Sequence, residues 1–396
     1  MLALVVAGAP QLASAVEPTK VYEPPDISEC SIYAGVFINA ADTCVELSGR
    51  LLAKVGWDTA SGLAWLATAQ SRAGLVTSSD LGLAAAVVGL EAGAVEIYAD
   101  GGPRAGVIVT DAFVRLGDRN SATLGWVDSE TGSLADLTGD EPLDHFGTFT
   151  ASSDGMPWDY GVRLGGLSIQ FRHHLSSSLQ IGYGVENIDG RSTDAAWSWW
   201  WPTTPPDSTL AGTVIANVSY DDGSTTGRFL AAANGVYDGK VDDWIIRSSV
   251  RTAVGDRAHV FFAGVAGTSL GWYLAASGDF AVGAFSTALT IARSPGMTEI
   301  SGSVEASWGL AKVGAAARTA QLLPDSVSQA AIYAKITPLE NLEVSAEVGR
   351  YVGNVDSDSY VLAGIAWTPD KTDVSASTEI HETGGMKVVF AASQDF

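Results

Sequence analysis

Six carboxylates crowd one stretch of the chain. Asp128, Glu130, Asp136, Asp140, Glu141 and Asp144 all fall within residues 128–159, and no Lys or Arg occurs between Arg119 and Arg163. Carboxylates gathered without counter-cations either decorate a solvated loop or set up a negative field acting on whatever passes close by. A second candidate is aromatic. Trp197, Trp199, Trp200 and Trp201 lie in AAWSWWWPTTPP. Their ring faces suit the CH groups of a sugar, and equally suit packing of a loop on itself or on a neighbouring subunit.

Other chemistry has little to stand on. His173 and His174 are adjacent, so on a strand they point to opposite faces and cannot share a metal. They read as structural residues near a turn. Cys30 and Cys44 have no His or further Cys nearby to complete a metal ligand set. No G-x-S-x-G elbow, phosphate-cradling loop or zinc spacing is present. No catalytic residue, metal ligand or cofactor is therefore assigned, and the chain is expected not to be an enzyme.

The elements that must position these residues are strands. From Cys44 onward, short runs of alternating apolar and polar residues recur between Gly/Asp/Asn/Ser/Pro turns. In VELSGRLLAKVGW, the residues Val45, Leu47, Leu51, Ala53, Val55 and Trp57 share one parity, while Glu46, Ser48, Arg50 and Lys54 share the other. Side chains on a strand alternate between faces, so one face is apolar and the other charged. The same holds for Trp244, Ile246 and Val250 against Arg247 and Arg251, and for Ile300, Val304 and Trp308 against Glu299, Ser303 and Glu305. The apolar rows are rich in Ala, Gly and Val and often end in Trp or Tyr. A soluble sandwich needs interdigitating bulk on its inner face, whereas a lipid-facing wall does not. The pattern points to apolar-out and polar-in, the arrangement of a transmembrane barrel.

Composition agrees. Only 17% of residues are charged, against about 25% in typical soluble domains. The net charge of −23 argues against nucleic acid as a partner, because a phosphate-binding surface must be basic. Residues 1–15 read as a signal peptide ending in Ala13-Ser14-Ala15, and the basic region that should precede its apolar core is missing, so the true start is expected upstream. With an export signal, the Cys30 and Cys44 pair suggests one structural disulfide. No further window reaches the ~18 apolar residues of a transmembrane helix. A membrane location therefore requires a closed barrel.

Residues 16–43 form a polar, periplasmic lead-in, and the barrel is expected over residues 44–396. Turns alternate in length. Short ones include Asp118-Arg119-Asn120, Gly255-Asp256 and Pro369-Asp370-Lys371, and long ones span residues 128–159 and 188–209. About twenty strand-like segments can be counted. The length, at roughly 20 residues per strand and connection, suits sixteen to eighteen. Sixteen strands are favoured within a range of 16–20. The final segment, MKVVFAASQDF, places Met386, Val388, Phe390, Ala392 and Phe396 on one parity. A terminal aromatic on such a strand looks like the sorting signal of outer-membrane barrels, with Gln394 as a departure from it.

CSIYAGVFINAADTCVELSG, residues 30–49, resembles the N-terminal motif of the alphaproteobacterial (Rhizobiales-type) porin family, at Cys30, Tyr33, Gly35, Phe37, Asp42, Thr43, Cys44 and Gly49. DAFVRLGDRNSATLGWVDSE resembles that family's strand pair before the long third external loop. The Ile-Pro-Gly usual in the first motif is absent, and the interval is about two residues shorter, the pattern of a diverged member. The resemblance implies a homotrimeric porin in the outer membrane of a Gram-negative bacterium. Its third loop would fold into the pore, and the channel would pass small hydrophilic solutes and ions by passive diffusion. It makes residues 128–159 the constriction loop, with its acids facing a basic wall. Candidates for that wall are Arg50, Lys54, Arg72, Arg228, Arg247 and Arg251. The alternative from the same pattern is a structural or adhesive barrel with a plugged lumen.

Overall fold

In the computed structural model the chain forms one antiparallel sheet that closes on itself. The structure describes residues 36–40, 43–59, 62–79, 82–97, 104–117, 119–127, 145, 165–188, 212–239, 241, 243–268, 271–322, 325–353, 357–369 and 371–395. The strands are β1 (Val36–Ala40), β2 (Thr43–Asp58), β3 (Gly62–Ser79), β4 (Gly82–Ile97), β5 (Arg104–Leu116), β6 (Asn120–Val127), β7 (Gly166–His174), β8 (Leu179–Glu186), β9 (Thr213–Asp221) and β10 (Thr225–Asn234). They continue as β11 (Trp244–Ala253), β12 (Ala258–Gly267), β13 (Gly271–Val282), β14 (Phe285–Ser294), β15 (Met297–Trp308), β16 (Ala311–Leu322), β17 (Asp325–Leu339), β18 (Leu342–Gly353), β19 (Ser357–Trp367), β20 (Thr372–His381) and β21 (Met386–Asp395).

Of the 21 strands, β1 pairs only with β2; the other twenty make the ring, which closes where β2 pairs β21 from Arg50↔Asp395 to Asp58↔Lys387. Closure matters because an open edge in hydrocarbon leaves backbone groups without partners. The expected sixteen strands are thus corrected to twenty. The reason lies in the connections. Two-residue turns at Gly283-Ala284, Pro295-Gly296, Gly309-Leu310 and Glu340-Asn341 join long strands, so each strand uses less chain than assumed. The count of about twenty strand-like segments is the one the wall bears out, with β5 and β6 as separate strands.

The orientation of the wall follows the expected parity. Leu51, Val88, Leu289 and Ile332 point outward, Ile332 with 66% of its surface exposed, while Arg247 and Glu347 on the inner face are each exposed to 4%. Water would not tolerate so continuous an apolar exterior; a bilayer requires one. Outward aromatics gather at both ends: Trp57, Trp244 and Trp272 at one rim, Tyr220, Phe280, Phe285, Trp308 and Trp367 at the other. Phe285 and Trp308 meet edge to face, with centroids 6.4 Å apart. These are the two interfacial girdles of a membrane barrel.

The connections differ between the ends. The short turns named from the sequence all lie at the end where β2 begins and β21 finishes. The long connections, from β6 to β7 and from β8 to β9, lie at the opposite end, the loop end. This makes the loop end extracellular and the β6–β7 connection the third external one. From β13 to β18 the turns are short at both ends, so the expected alternation of short and long fails over those six strands.

Candidate functional site

The site is the lumen. A ring of twenty strands is too wide for wall side chains to fill, so it must hold water, an inserted segment, or both. Its inner face is sorted by charge. Among described side chains on β2 to β11, Arg50, Lys54, Arg72, Arg115, Arg172, Arg228, Arg247 and Arg251 face inward, against Asp58, Asp111, Glu186 and Asp221. On β12 to β21 the balance reverses. Asp279, Glu299, Glu305, Glu343, Glu347, Asp358, Asp373, Glu379 and Asp395 face inward, against Lys312, Arg318, Lys335 and Lys387. One half of the wall is basic and the half across from it acidic.

All six proposed wall cations lie on the inner parity. They form two groups rather than one stretch: Arg50, Lys54 and Arg72 on β2 and β3, and Arg228, Arg247 and Arg251 on β10 and β11. In the second group, Arg228 pairs across from Ser249, which Arg247 and Arg251 flank on the same strand. In the first, Arg50 lies 3.6 Å from Asp395, with the two side chains 45% and 54% exposed. An ion pair so exposed contributes little to stability. Arg72 lies 3.7 Å from Asp111 and stacks over Phe113, whose ring is also approached by Arg115. A bulge between Gly89 and Leu90 sets the register that keeps Asp111, Phe113 and Arg115 on the inner face. Arg115 and Arg172 were not singled out from the sequence, though their strand parity was available.

The inner face also carries an apolar region. Ile215, Leu230, Ile245, Phe261, Val265 and Tyr273 form a buried cluster on β9 to β13. Sequence parity does not anticipate it, because these strands carry apolar residues on both faces.

The six acids of the third external connection, Asp128 to Asp144, lie outside the described residues, as do Cys30 and the Trp197–Trp201 cluster. Cys44 is on β2, with its backbone opposite Asn39 and Val76. Two residues of the third connection are described, His145 and Gly165, and the first is informative. His145 stands inside the barrel against β15, β17 and β18, nearly half the ring away from the strands its connection joins. The long third loop therefore folds into the pore at this point, as expected.

The seat for His145 is built from the wall upward. Gly314 on β16 pairs with Tyr333 on β17, and a Cβ on Gly314 would collide with the Tyr333 ring. The missing side chain lets the phenol ring lie flat on the wall. The imidazole stacks on that ring with centroids 3.8 Å apart and planes 7° from parallel. Its Nε2 donates to Glu347 Oε2 at 2.9 Å, and its backbone N–H donates to Ser303 Oγ at 3.3 Å. Glu347 is fixed in turn. Tyr360 lies over Gly349 in the same manner, and its hydroxyl donates to Glu347 Oε1 at 2.6 Å. Gln329 Nε2 donates to the Tyr360 hydroxyl at 2.6 Å, and Arg318 Nε donates to Gln329 Oε1 at 2.7 Å. Hydrogen bonds with a charged member are the stronger kind, and a connected chain of them holds each member's geometry.

His173 and His174 fall at the β7–β8 turn. His173 faces outward, its ring stacked near Tyr183 and within 3.0 Å of Asn120 Oδ1, while the His174 N–H donates to Arg119 O at 3.0 Å. Among the described residues no group of His, Cys, Asp and Glu is placed to hold a metal ion.

No family model and no curated protein matches the sequence. Among solved structures, the chain is similar to a mutant of the Rh. blastica porin at 11% identity and a TM-score of 0.45, over 89% of this chain and 100% of that one. It is similar to OmpT of Vibrio cholerae at 10% identity and a TM-score of 0.41, over 91% and 100%. It is also similar to the anion-selective porin from Comamonas acidovorans at 12% identity and a TM-score of 0.37, over 89% and 100%. The wall itself defines the class. A single-chain, even-numbered antiparallel ring, oily outside and ionic inside, is an outer-membrane β-barrel.

Proposed function

We propose that the barrel is a porin, a water-filled channel for passive diffusion of small hydrophilic solutes and ions. The observation that carries this reading is the sorting of lumen-facing charge into a basic and an acidic half, with ionised side chains open to water. Such a wall produces a field across the lumen. That field orients dipolar solutes and sets ion preference through charge and width rather than reaction. His145 fastens the third loop to the acidic half. The acids of that loop, Asp128, Glu130, Asp136, Asp140, Glu141 and Asp144, then act with the acidic wall against the arginines facing it. The motif at Cys30–Gly49 supports the same reading through its resemblance to Rhizobiales-type porins, and with it a homotrimer, a Cys30–Cys44 disulfide and a cleaved signal peptide.

Planar-bilayer recording of the purified protein tests this. Stepwise, ohmic single-channel currents are expected, and a protein that inserts without conducting would end the porin reading. A second reading, a plugged structural or adhesive barrel, draws on the buried inner cluster around Ile245 and Phe261, which is more apolar than an open channel needs. The same recording separates the two.

A further inference from the structure

A charge on the bilayer-facing parity of a strand is costly at mid-depth and tolerable only near the interface. Among strand residues whose side chains are described, two carry such a charge: Arg293 on β14 and Arg350 on β18. Both are cations, and both lie close to the loop end of their strands, at the level of the outer leaflet. Arg350 Nη2 donates to Ser357 Oγ at 3.3 Å. Arg293 has no hydrogen-bond or ion-pair partner among the described residues.

Beside Arg293 the outer wall is hollowed. One row of outward positions runs Ser248, Gly264, Leu274, Arg293 across β11 to β14, since each pairs with the next. The row below it includes Phe262 and Ile291. Gly264 leaves the hollow open: a Cβ there would come within 3.0 Å of Leu274 Cδ2. The groove has a volume of about 470 Å³, and its lining is apolar apart from Ser248, Ser249 and Arg293. It lies just under the Trp244 and Trp272 girdle, where lipid tails begin.

We infer that this groove binds one net-anionic, phosphate-bearing lipid of the outer leaflet, with an acyl chain over Gly264 and the phosphate on the Arg293 guanidinium. Charge complementarity selects that occupant. A guanidinium at headgroup depth with no partner among the described residues attracts an anionic group, and planar guanidinium suits phosphate oxygens. A neutral lipid or an apolar protein face would leave that charge unanswered. The inference rests on the barrel standing in a bilayer and is independent of whether its lumen conducts.

Native mass spectrometry of the full-length protein in detergent tests it, with bis-phosphorylated lipid A, its dephosphorylated form and phosphatidylethanolamine as probes. The wild type is expected to retain one lipid A molecule in preference to the other two probes. Arg293→Gln and Gly264→Val are each expected to weaken that binding at least tenfold, and Thr319→Val, elsewhere on the outer wall, to leave it unchanged. Heat-modifiable gel mobility establishes that the variants are folded. Equal retention of the dephosphorylated lipid, or wild-type binding by folded Arg293→Gln, would overturn the proposal. So would efficient oxidative linkage of Arg293→Cys protomers to one another, which would make this face an interface between copies.

Discussion

The imidazole of His145 and the carboxylate of Glu347 meet at 2.9 Å, although 202 positions separate them in the chain. A hydrogen bond to a charged group contributes about 1.5–3 kcal/mol. In this barrel that contribution holds a loop across the lumen rather than stabilising the wall. His145→Ala is therefore expected to leave thermal stability unchanged while raising single-channel conductance and open-channel noise. Glu347→Gln should act in the same direction and more weakly, since an amide still accepts the hydrogen bond. Currents identical to wild type in both would show that the anchor does not narrow the path.

The flat seat under His145 depends on the absence of a side chain at Gly314. Gly314→Ala should push the Tyr333 ring off the wall. Overpacking of this kind costs about 1–3 kcal/mol. The expected result is a lower urea midpoint, read from gel mobility or tryptophan fluorescence, together with the conductance change of His145→Ala. Gly349→Ala, under Tyr360, should lower stability alike. Val313→Ala, on the outward side of the same strand, should do neither.

Charge sorting of the lumen makes opposite predictions for opposite walls. Neutralising Arg228 and Arg251 to Gln should shift the reversal potential in a salt gradient toward cation preference. Neutralising Glu305 and Glu343 to Gln should shift it toward anions. Arg350→Gln, on the outer face, should not move it. Shifts of the same sign from both walls would show that overall charge, not its arrangement, sets selectivity.

The two faces of the wall differ in what they tolerate. Leu289, outward at the middle of β14, is 61% exposed. Replacing it by Arg places a cation in hydrocarbon, at a cost of about 2–4 kcal/mol at mid-depth. Ser375→Arg, on the inner face of β20, enters water and should change the unfolding midpoint little. A barrel indifferent to Leu289→Arg would not be seated in lipid as described.

The β9–β10 turn supplies a pH dependence. Asp222 Oδ1 accepts from the Thr225 N–H at 2.8 Å and from the Ser224 hydroxyl at 2.8 Å, and these bonds, the Thr225 one foremost, hold its carboxyl down at about 2. The folded value lies below the 3.8 of a free Asp, so the turn gains stability above that value and loses it as pH falls through about 2. Hydrogen exchange at Ser224 and Thr225 should stay slow to below pH 3 in the wild type. In Asp222→Ala it should be fast throughout. A carboxyl signal titrating near 4 would contradict the turn geometry.

The orientation of the wall was legible in the sequence because it is local. Arg50 beside Leu51, or Arg247 beside Ile246, already fixes which neighbour points where once the chain is extended. The size of the ring was not, since it depends on how little chain the turns consume. Gly309-Leu310 is a full turn that looks like an interruption of a single apolar run. The seat of His145 was less legible still. Nothing near position 145 announces Glu347 or Tyr333. The available signals were a His in an otherwise acidic loop, in a chain with 5 His, and glycines at 314 and 349 on strands that need no turn there. The inner cluster of Ile245 and Phe261 escaped because period-two reading cannot say which of two oily faces meets lipid.

β21 covers β2 only from Arg50 to Asp58, and the remainder of that flank, Thr43 to Leu47, is taken by β1. β1 and β21 therefore share one partner, laid end to end like the halves of a split rail. Completion of the wall at this seam needs β2 and β21 together, the two ring strands furthest apart in sequence. Until then β2 offers a naked flank to any passing strand. A nascent barrel of this design must be chaperoned at that one seam more than anywhere else on its circumference.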